Sequence, residues 1–429
     1  MVDSIQSLKE TLSPVLGVLI DRKNKDVRAV SPKIQEDFYH LEEESYKDEE
    51  HLKQTKRAYI EPVIPFQKIV TRPKCARWPI VEYFIDGSIR SLYVGSIQTR
   101  RYVFPMHISQ IGVSVLRRFN EELTCHIHEQ KFVIIFPISY LGQTTKTKIE
   151  KIKSEIPKEA KDKTLLIDTL ETVSEDELKD ISDAQKTRYD LLRLRALRRA
   201  RYEMQRLEDL TLYKLADEIK LFPNTFIVVD GTLLDKGSYK GNIKESDDEL
   251  LKQCIGVSKS FTVRLLEGVE LGPKSKKLSE EKRSQVGMEF QRIFSKFVEG
   301  VRTPLFHLSP KTTGIRFRKP RLSWYLKLHS SKEVGGDPMS GIVRLDITDY
   351  HKSKIEKEIK DHGHSSLIND LSYIIFEERF PVAYRDKRWH NLLYPIHVVE
   401  NCIKSNFCST ETLKGVFYSI LRDVRGGDL

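Results

Sequence analysis

A long stretch of the chain, from Ser174 to Lys220, contains neither glycine nor proline, and the strand-forming run FIVVDG follows shortly after it. The spacing of Ser174 and Glu177 is that of a helix-capping box. Apolar residues then recur at helical spacing, which predicts one long helix with a buried face; they are Leu192, Ala196, Ala200, Met204 and Leu207. Because strand-rich segments lie before and after this helix–strand unit, we predict an α/β fold with a mixed sheet flanked by helices.

The flanking segments suggest how the chain is organised. Residues 1–70 look polar and helical, prolines at 62, 65 and 73 mark a transition, and WPIVEYFIDGSIR then begins strand-rich sequence. The lysine-rich run KTKIEKIKSEIPKEAKDK has no apolar face and predicts a loop or an exposed helix. We therefore predict an N-terminal helical extension over residues 1–70 and one α/β domain over 71–429, with a lysine-rich insertion near 143–165.

Composition narrows the class of protein. Lys and Arg total 72 against 62 Asp and Glu, a net charge of +10 that favours a polyanionic partner such as nucleic acid, although a well-solvated surface gives the same balance. No apolar run is long enough to span a membrane, and the N-terminus lacks the basic region of a secretory signal. The five cysteines are far apart and form no CxxC pair, which argues against disulfide and zinc frameworks and predicts a cytoplasmic protein.

Two Asp-Gly pairs each follow a run of strand-forming residues, in YFIDGSIRSLYVG at Asp86 and in FIVVDGTLLDKG at Asp230. Asp-Gly between apolar runs is a strong hairpin signal. The residues after Asp230 do not alternate, so we expect that Asp at the carboxyl end of a buried strand, where α/β sheets bind ligands. The residues after Asp86 do alternate, so a hairpin and a functional Asp are both compatible with that sequence.

Further carboxylates occur in comparable settings. Glu208 lies on the predicted long helix, with Glu203 as its competitor, and Asp346 ends the strand GIVRL. Each acid taken singly is compatible with a solvated surface position. If several of them converge with Asp86 and Asp230 at one sheet edge, they repel one another unless a divalent cation lies between them. Oxygen ligands select Mg²⁺ or Mn²⁺, and two such ions can clamp the attacking and leaving oxygens of a phosphoryl displacement.

Several other side chains are candidates for contact with a phosphate. Lys259 ends the apolar run CIGV in GVSKS, and Tyr394 precedes a proline suited to the first turn of a helix. The long helix is rich in arginine, including Arg198 and Arg199, and these face either solvent or DNA. A second basic patch, KTTGIRFRKPR, suits single-stranded DNA because Phe317 lies among its cations and Trp324 follows; its candidate DNA-binding residues are Lys311, Arg316 and Arg318.

The order of these segments resembles the NurA nucleases. From Tyr83 to Cys402 the chain has DGS, a long helix bearing Arg and Glu, a hydrophobic strand ending in DGTL, then GVSKS, RLD and YP. The resemblance implies an RNase H-like fold and a Mn²⁺- or Mg²⁺-dependent DNase with 5′ to 3′ exonuclease and single-strand endonuclease activity. It also implies a homodimer that docks on a hexameric HerA-type ATPase, in DNA-end resection and repair or in phage defence.

The resemblance also assigns roles to individual residues. It matches Asp86 and Asp230 to the family's catalytic, metal-binding aspartates and Glu208 to its helical glutamate, while Lys259 and Tyr394 match its lysine and tyrosine. The chain departs from the family at Cys402, where an acidic residue or a histidine is usual. Glu400 or His397 is the candidate substitute. Without a substitute the last metal ligand is weakened, and the alternative is a DNA-binding or scaffold subunit without catalysis. An RNA-processing nuclease is a third interpretation.

Overall fold

The computed structural model describes residues 2–21, 24–37, 55–62, 66–72, 80–170, 188–215, 218, 225–233, 250–259, 292–310, 320–337 and 339–426. The strands are β1 (Val27–Asp37), β2 (Thr55–Tyr59), β3 (Lys68–Ile69), β4 (Ile80–Thr99), β5 (Val103–Phe119), β6 (Glu122–Phe136), β7 (Thr164–Asp168), β8 (Thr225–Asp230), β9 (Cys254–Ser258), β10 (Val301–Arg302), β11 (Phe306–Pro310), β12 (Arg321–Lys327) and β13 (Ile342–Thr348). The α-helices are α1 (Val2–Ile20), α2 (Gln143–Glu155), α3 (Lys158–Lys163), α4 (Tyr189–Lys214), α5 (Lys352–His362), α6 (Ser366–Glu377), α7 (Tyr394–Asn406) and α8 (Thr410–Val424).

The strands of the described residues join in one mixed sheet, in the order β2-β11-β12-β13-β9-β8-β4-β5-β6-β7. Strand β1 pairs with β4, and the short strand β10 pairs with β12 and β3. The pairs β4–β8, β8–β9 and β6–β7 are parallel, and the other pairs are antiparallel. The predicted mixed α/β architecture is confirmed.

Helices α4 and α7 cover opposite faces of the central strands. Alternate residues of a strand point to opposite faces; Tyr83 and Ile85 of β4 pack in one apolar cluster with α4, whereas Phe84 packs in another with α7. The contact with α7 is close, because a Cβ atom on Gly112 of β5 would lie 2.8 Å from Ile403. The apolar stripe predicted for α4 is buried as expected, and each large buried side chain of this kind contributes about 1.5–3 kcal/mol.

A further apolar cluster covers the far halves of the long strands β4, β5 and β6. Leu12 and Leu16 of α1 pack there with Phe417 and Leu421 of α8 and with Phe104 of β5. The two ends of the described chain therefore build one core together, away from the edge where β8 and β9 end.

Residues 1–70 are less helical than the sequence suggested. Only α1 is helical among their described residues, and β1, β2 and β3 hydrogen-bond into the sheet. The lysine-rich segment near 143–165 forms α2 and α3, and the expectation that it has no apolar face is wrong, because Ile149 of α2 is buried in the core. Helix α4 begins at Tyr189, and the predicted capping box at Ser174 lies outside the described residues. Among the described residues, no helix is both long and apolar enough to cross a membrane.

The two Asp-Gly pairs have different backbone settings. Strand β4 continues through Asp86 and Gly87 to Thr99, so the hairpin compatible with the sequence at this position does not form there. Strand β8 ends at Asp230, and Gly231 turns the chain with a φ of 89°. The next strand among the described residues, β9, runs parallel to β8. The prediction that Asp230 ends a strand without a hairpin is confirmed.

Candidate active site

The candidate site lies at a break in the pairing along one edge of β4. Strand β8 pairs with β4 up to Ile85, and β1 pairs with it from Ser91 onward. Among the described residues, no strand lies on this edge between those two positions. Residues 86–90 of β4 therefore have no described strand partner on this edge, and we call this break the β4 gap.

Asp86 and Asp230 lie beside each other at the start of the gap. Each follows directly after a paired residue, Ile85 or Val229, of two neighbouring parallel strands, whose backbones are about 4.8 Å apart. Asp86 is 6% exposed. Burial raises its pKa well above the ordinary value, and the negative charges of Asp230, Glu208 and Glu400 raise it further, against the opposing effect of Lys259.

Lys259 supplies a positive charge at the same place. Val257 of β9 pairs with Asp230, so Lys259, two residues later, points to the same face of the sheet. Its Nζ atom donates to Oδ2 of Asp230 at 3.0 Å. Burial alone would lower the pKa of Lys259, but Asp230 and Asp86 raise it. The amine therefore stays charged at neutral pH, as the predicted contact with phosphate requires.

Glu208 reaches the gap from α4 because Gly87 has no side chain. A Cβ atom on Gly87 would lie 2.6 Å from Oε1 of Glu208 and 2.1 Å from Sδ of Met204. The Glu208 side chain is buried and raises the pKa of the neighbouring Asp86. Glu208 is therefore next to Asp86 along β4 but on the α4 side of the sheet, whereas Asp86 follows the alternation of Phe84 to the α7 side.

Two other acids that the sequence offered lie in different environments. Glu203 is held by Arg199 at 3.0 Å and Arg206 at 3.4 Å on its own helix. Asp346 is fully buried, accepts a hydrogen bond from Ser323 at 2.6 Å, and lies 3.4 Å from Arg344. Asp346, which the sequence offered as a further acid in a comparable setting, therefore has its charge compensated within the sheet.

Glu400 of α7 is the candidate substitute that lies in the cluster. Its charge raises the pKa values of both Asp86 and Lys259. Burial would raise its own pKa, but Lys404 at 2.6 Å and Arg388 at 2.7 Å lower it. It therefore carries a charge that is already balanced by two cations.

The other two positions considered for the last metal ligand, His397 and Cys402, have other neighbours. His397 contacts Asn401 at 2.9 Å and lies 3.7 Å from Asp386. Cys402 is within hydrogen-bonding reach of the Cys125 thiol on β6. Neither His397 nor Cys402 therefore joins Glu400 beside the carboxylates.

Tyr394 begins α7, as its sequence context predicted, and its backbone N–H donates to the Glu378 carbonyl at 2.8 Å. The segment before it is hydrogen-bonded to Lys259 at the gap. Asn391 donates from Nδ2 to the Lys259 carbonyl at 3.4 Å and accepts from Gly341 at 2.7 Å. The sequence did not single out Asn391, and its nearness to the tyrosine–proline pair was the only signal for it.

Part of the predicted DNA-binding set is unsuitable for that role. Arg199 is 9% exposed and paired with Glu203, so the prediction that it contacts DNA is wrong, whereas Arg198 is exposed. Trp324 is fully buried and donates to Ser372 at 2.9 Å, so it cannot stack on a base. The predicted residues Lys311, Arg316 and Arg318, together with Phe317, lie outside the described residues.

The side chains of the cluster are of the type that binds a hard divalent cation. Their arrangement in the described residues is not that of a metal site. Carboxylates are the ligands that Mg²⁺ and Mn²⁺ prefer, and the pKa of Asp86 is raised by burial and then by the charges of Asp230 and Glu208, which a bound cation would offset. Within the described part of the chain, however, no three His, Cys, Asp or Glu side chains are grouped as the ligands of one ion. Binding one cation between these side chains therefore requires the carboxylates to move closer together.

No protein-family model matches the chain, and no curated protein matches it. Among solved structures, the chain is similar to the crystal structure of the NurA nuclease from Sulfolobus solfataricus, with 13% sequence identity, 90% of this chain and 95% of that chain covered, and a TM-score of 0.37.

Proposed function

We propose that this protein is a divalent-cation-dependent nuclease that hydrolyses DNA phosphodiesters at the β4 gap. The observation that carries the proposal is the buried Asp86, whose pKa is raised beside Asp230 and Glu208, with the charged amine of Lys259 in the same cluster. Several acids and one amine at a break in a sheet are costly for folding alone, and perturbed groups of this kind concentrate at functional sites.

Each residue of the cluster has a role in the proposal. Asp86, Glu208 and Asp230 would hold Mn²⁺ or Mg²⁺, which supplies charge stabilisation of the transition state and orientation of the attacking and leaving oxygens. Lys259 would neutralise the phosphate being cleaved, and Tyr394 at the start of α7 would position it. Glu400 would add to the negative charge of Asp230 and Asp86 that keeps Lys259 protonated.

The finer parts of the proposal rest on the order of motifs between Tyr83 and Cys402. They are an RNase H-like topology, 5′ to 3′ exonuclease and single-strand endonuclease activity, a homodimer, and assembly with a HerA-type hexameric ATPase in the cytoplasm. The biological setting would be DNA-end processing in repair, or antiviral defence.

A second candidate function is a DNA-binding scaffold subunit with weakened catalysis. Two observations favour it over an intact nuclease. Position 402 is a cysteine where the family usually has an acidic residue or a histidine, and Lys259 already compensates Asp230. In this case the basic chain would retain nucleic acid without cutting it.

The test is an incubation of the purified protein with labelled single- and double-stranded DNA, with Mn²⁺ or with EDTA. Products that require Mn²⁺ support the nuclease. A mobility shift without products supports the scaffold, and cleavage confined to labelled RNA would point to an RNA-processing enzyme. The variant Asp168→Asn serves as a control. Asp168 also ends a parallel strand, but its carboxylate accepts a hydrogen bond from the backbone N–H of Ser139.

A further inference from the structure

The segment between α6 and α7, residues 378–393, carries exposed aromatic rings. Tyr384 is 73% exposed and Phe380 is 53% exposed. The ring of Tyr384 lies 5.1 Å from that of the partly exposed Trp389, and Trp389 in turn packs edge-on against His329 at 5.1 Å. Neighbouring exposed rings of this kind mark a recognition surface more often than isolated ones do.

The charges of this segment are arranged so that its cations point outward. The acids Glu378 and Asp386 are each bound by an arginine, Arg118 at 2.6 Å and Arg388 at 2.9 Å. Arg385 and Lys387 are exposed on either side of Asp386. The outer surface of the segment is therefore positive and aromatic together, which is the combination that binds single-stranded nucleic acid.

The segment is also held in place beside the β4 gap. Backbone N–H groups of Asp386 and Trp389 donate to the carbonyls of Ala383 and Asp386, at 2.9 and 3.0 Å. Arg388 donates to Glu400 at 2.7 Å, and Asn391 donates to the Lys259 carbonyl. A base stacked on the rings would therefore be fixed at a defined place relative to the carboxylate cluster.

We propose that Tyr384, Trp389 and Phe380, flanked by Arg385 and Lys387, form a base-stacking surface that binds the unpaired end of a nucleic-acid strand next to the β4 gap. The proposal rests on the proposed nuclease function and names the strand conformation that the site takes. A duplex keeps the faces of its bases covered, so stacking favours single strands over duplex. The phosphates of the same strand would lie against Arg385 and Lys387.

The test is the equilibrium binding of a fluorescein-labelled oligo(dT) and of a duplex hairpin, measured by anisotropy in EDTA so that nothing is cut. We expect Tyr384→Ala to weaken oligo(dT) binding about ten-fold, within the range for loss of one stacked base, and to leave hairpin binding nearly unchanged. Tyr384→Phe keeps the ring and should bind like the wild type. Tyr102→Ala is the matched control, because Tyr102 is 41% exposed in the turn between β4 and β5, outside the segment 378–393.

A second readout separates stacking from charge. Oligo(dT) should quench the fluorescence of Trp389, and Trp389→Phe should remove that quenching. A double change of Arg385 and Lys387 to Gln should reduce the slope of log affinity against log salt by about 0.7 for each phosphate that the protein no longer neutralises.

Hydrolysis of a small chromogenic phosphodiester by the wild type with Mn²⁺ is measured in parallel, because it tests the nuclease independently of this surface. If the wild type does not hydrolyse the diester but oligo(dT) binding depends on Tyr384, the nuclease proposal fails and the stacking surface stands. Unchanged oligo(dT) binding by Tyr384→Ala, or an equal loss of hairpin binding, would overturn the stacking surface.

Discussion

The Nζ atom of Lys259 lies 3.0 Å from Oδ2 of Asp230, where two neighbouring parallel strands end at the break in the sheet. The pair is mostly buried, with side chains 13% and 23% exposed. The pair therefore contributes to both folding and the proposed function. The amine compensates the buried negative charge of the carboxylates, and it is also the group suited to contact a phosphate.

Replacing Lys259 with Met should reduce Mn²⁺-dependent DNA cleavage about 100-fold or more, the scale for removal of a charge that acts on the transition state. Single-turnover cleavage with saturating enzyme measures the effect. Lys252→Met is the control, since Lys252 lies at the other end of β9 beneath the Tyr350 ring. A Lys259→Met protein that cuts at the wild-type rate would remove this residue from the mechanism.

Gly87→Ala should impair cleavage through Glu208. The added Cβ would lie 2.1 Å from Sδ of Met204 and 2.6 Å from Oε1 of Glu208, so both side chains must move away from position 87, and such overpacking costs about 1–3 kcal/mol of stability. Gly415→Ala, in an open position of α8, should instead be neutral or stabilising by up to about 1 kcal/mol. Urea unfolding and cleavage assays on both variants check this, and full activity in Gly87→Ala would show that the position of Glu208 is unimportant.

Substitutions of the two glutamates of α4, Glu203 and Glu208, should have different effects on cleavage and stability. Glu208→Gln should lose cleavage about 100-fold or more with the fold intact, as expected for a group that acts on the transition state. Glu203→Gln should keep cleavage but lose about 1–3 kcal/mol of stability, because Arg199 would be left buried without its carboxylate. Circular dichroism and cleavage rates on the pair distinguish the two effects, and the reverse pattern would assign the catalytic glutamate to position 203.

Asp86→Asn should abolish cleavage yet stabilise the fold in EDTA, increasingly so at higher pH. The pKa of Asp86 is raised in the folded state by burial and by Asp230, so the unfolded chain releases its proton first as pH rises. This acid therefore destabilises the fold progressively above its ordinary pKa of 3.8, until pH passes its folded value. Melting temperatures of wild type and variant at pH 5 and pH 8 test the sign. A variant less stable than wild type at pH 8 would contradict it.

Local sequence predicted the elements of the site better than their surroundings. The long helix α4, the strand ending at Asp230 and the helix beginning at Tyr394 all follow from periodicity and from glycine and proline positions. The break along β4 could not be predicted, because it depends on where β8 and the distant strand β1 stop pairing with it.

The errors have the same origin in long-range packing. The sequence put Asp346 at a strand end, but β13 continues to Thr348, and Arg321 of β12 and Arg344 of β13 are its partners. Trp324 follows a basic stretch, yet β12 lies inside the sheet and turns that ring into the core. Neither cross-strand neighbours nor burial can be read from a short window of sequence.

The most direct measurement is the binding of Mn²⁺ to the protein, followed by electron paramagnetic resonance of the free ion, for wild type, Asp230→Asn and Asp168→Asn. We expect wild type and Asp168→Asn to bind Mn²⁺ equally and Asp230→Asn to lose that binding. Equal Mn²⁺ binding by all three proteins, or none by the wild type, would contradict a catalytic cation at the β4 gap.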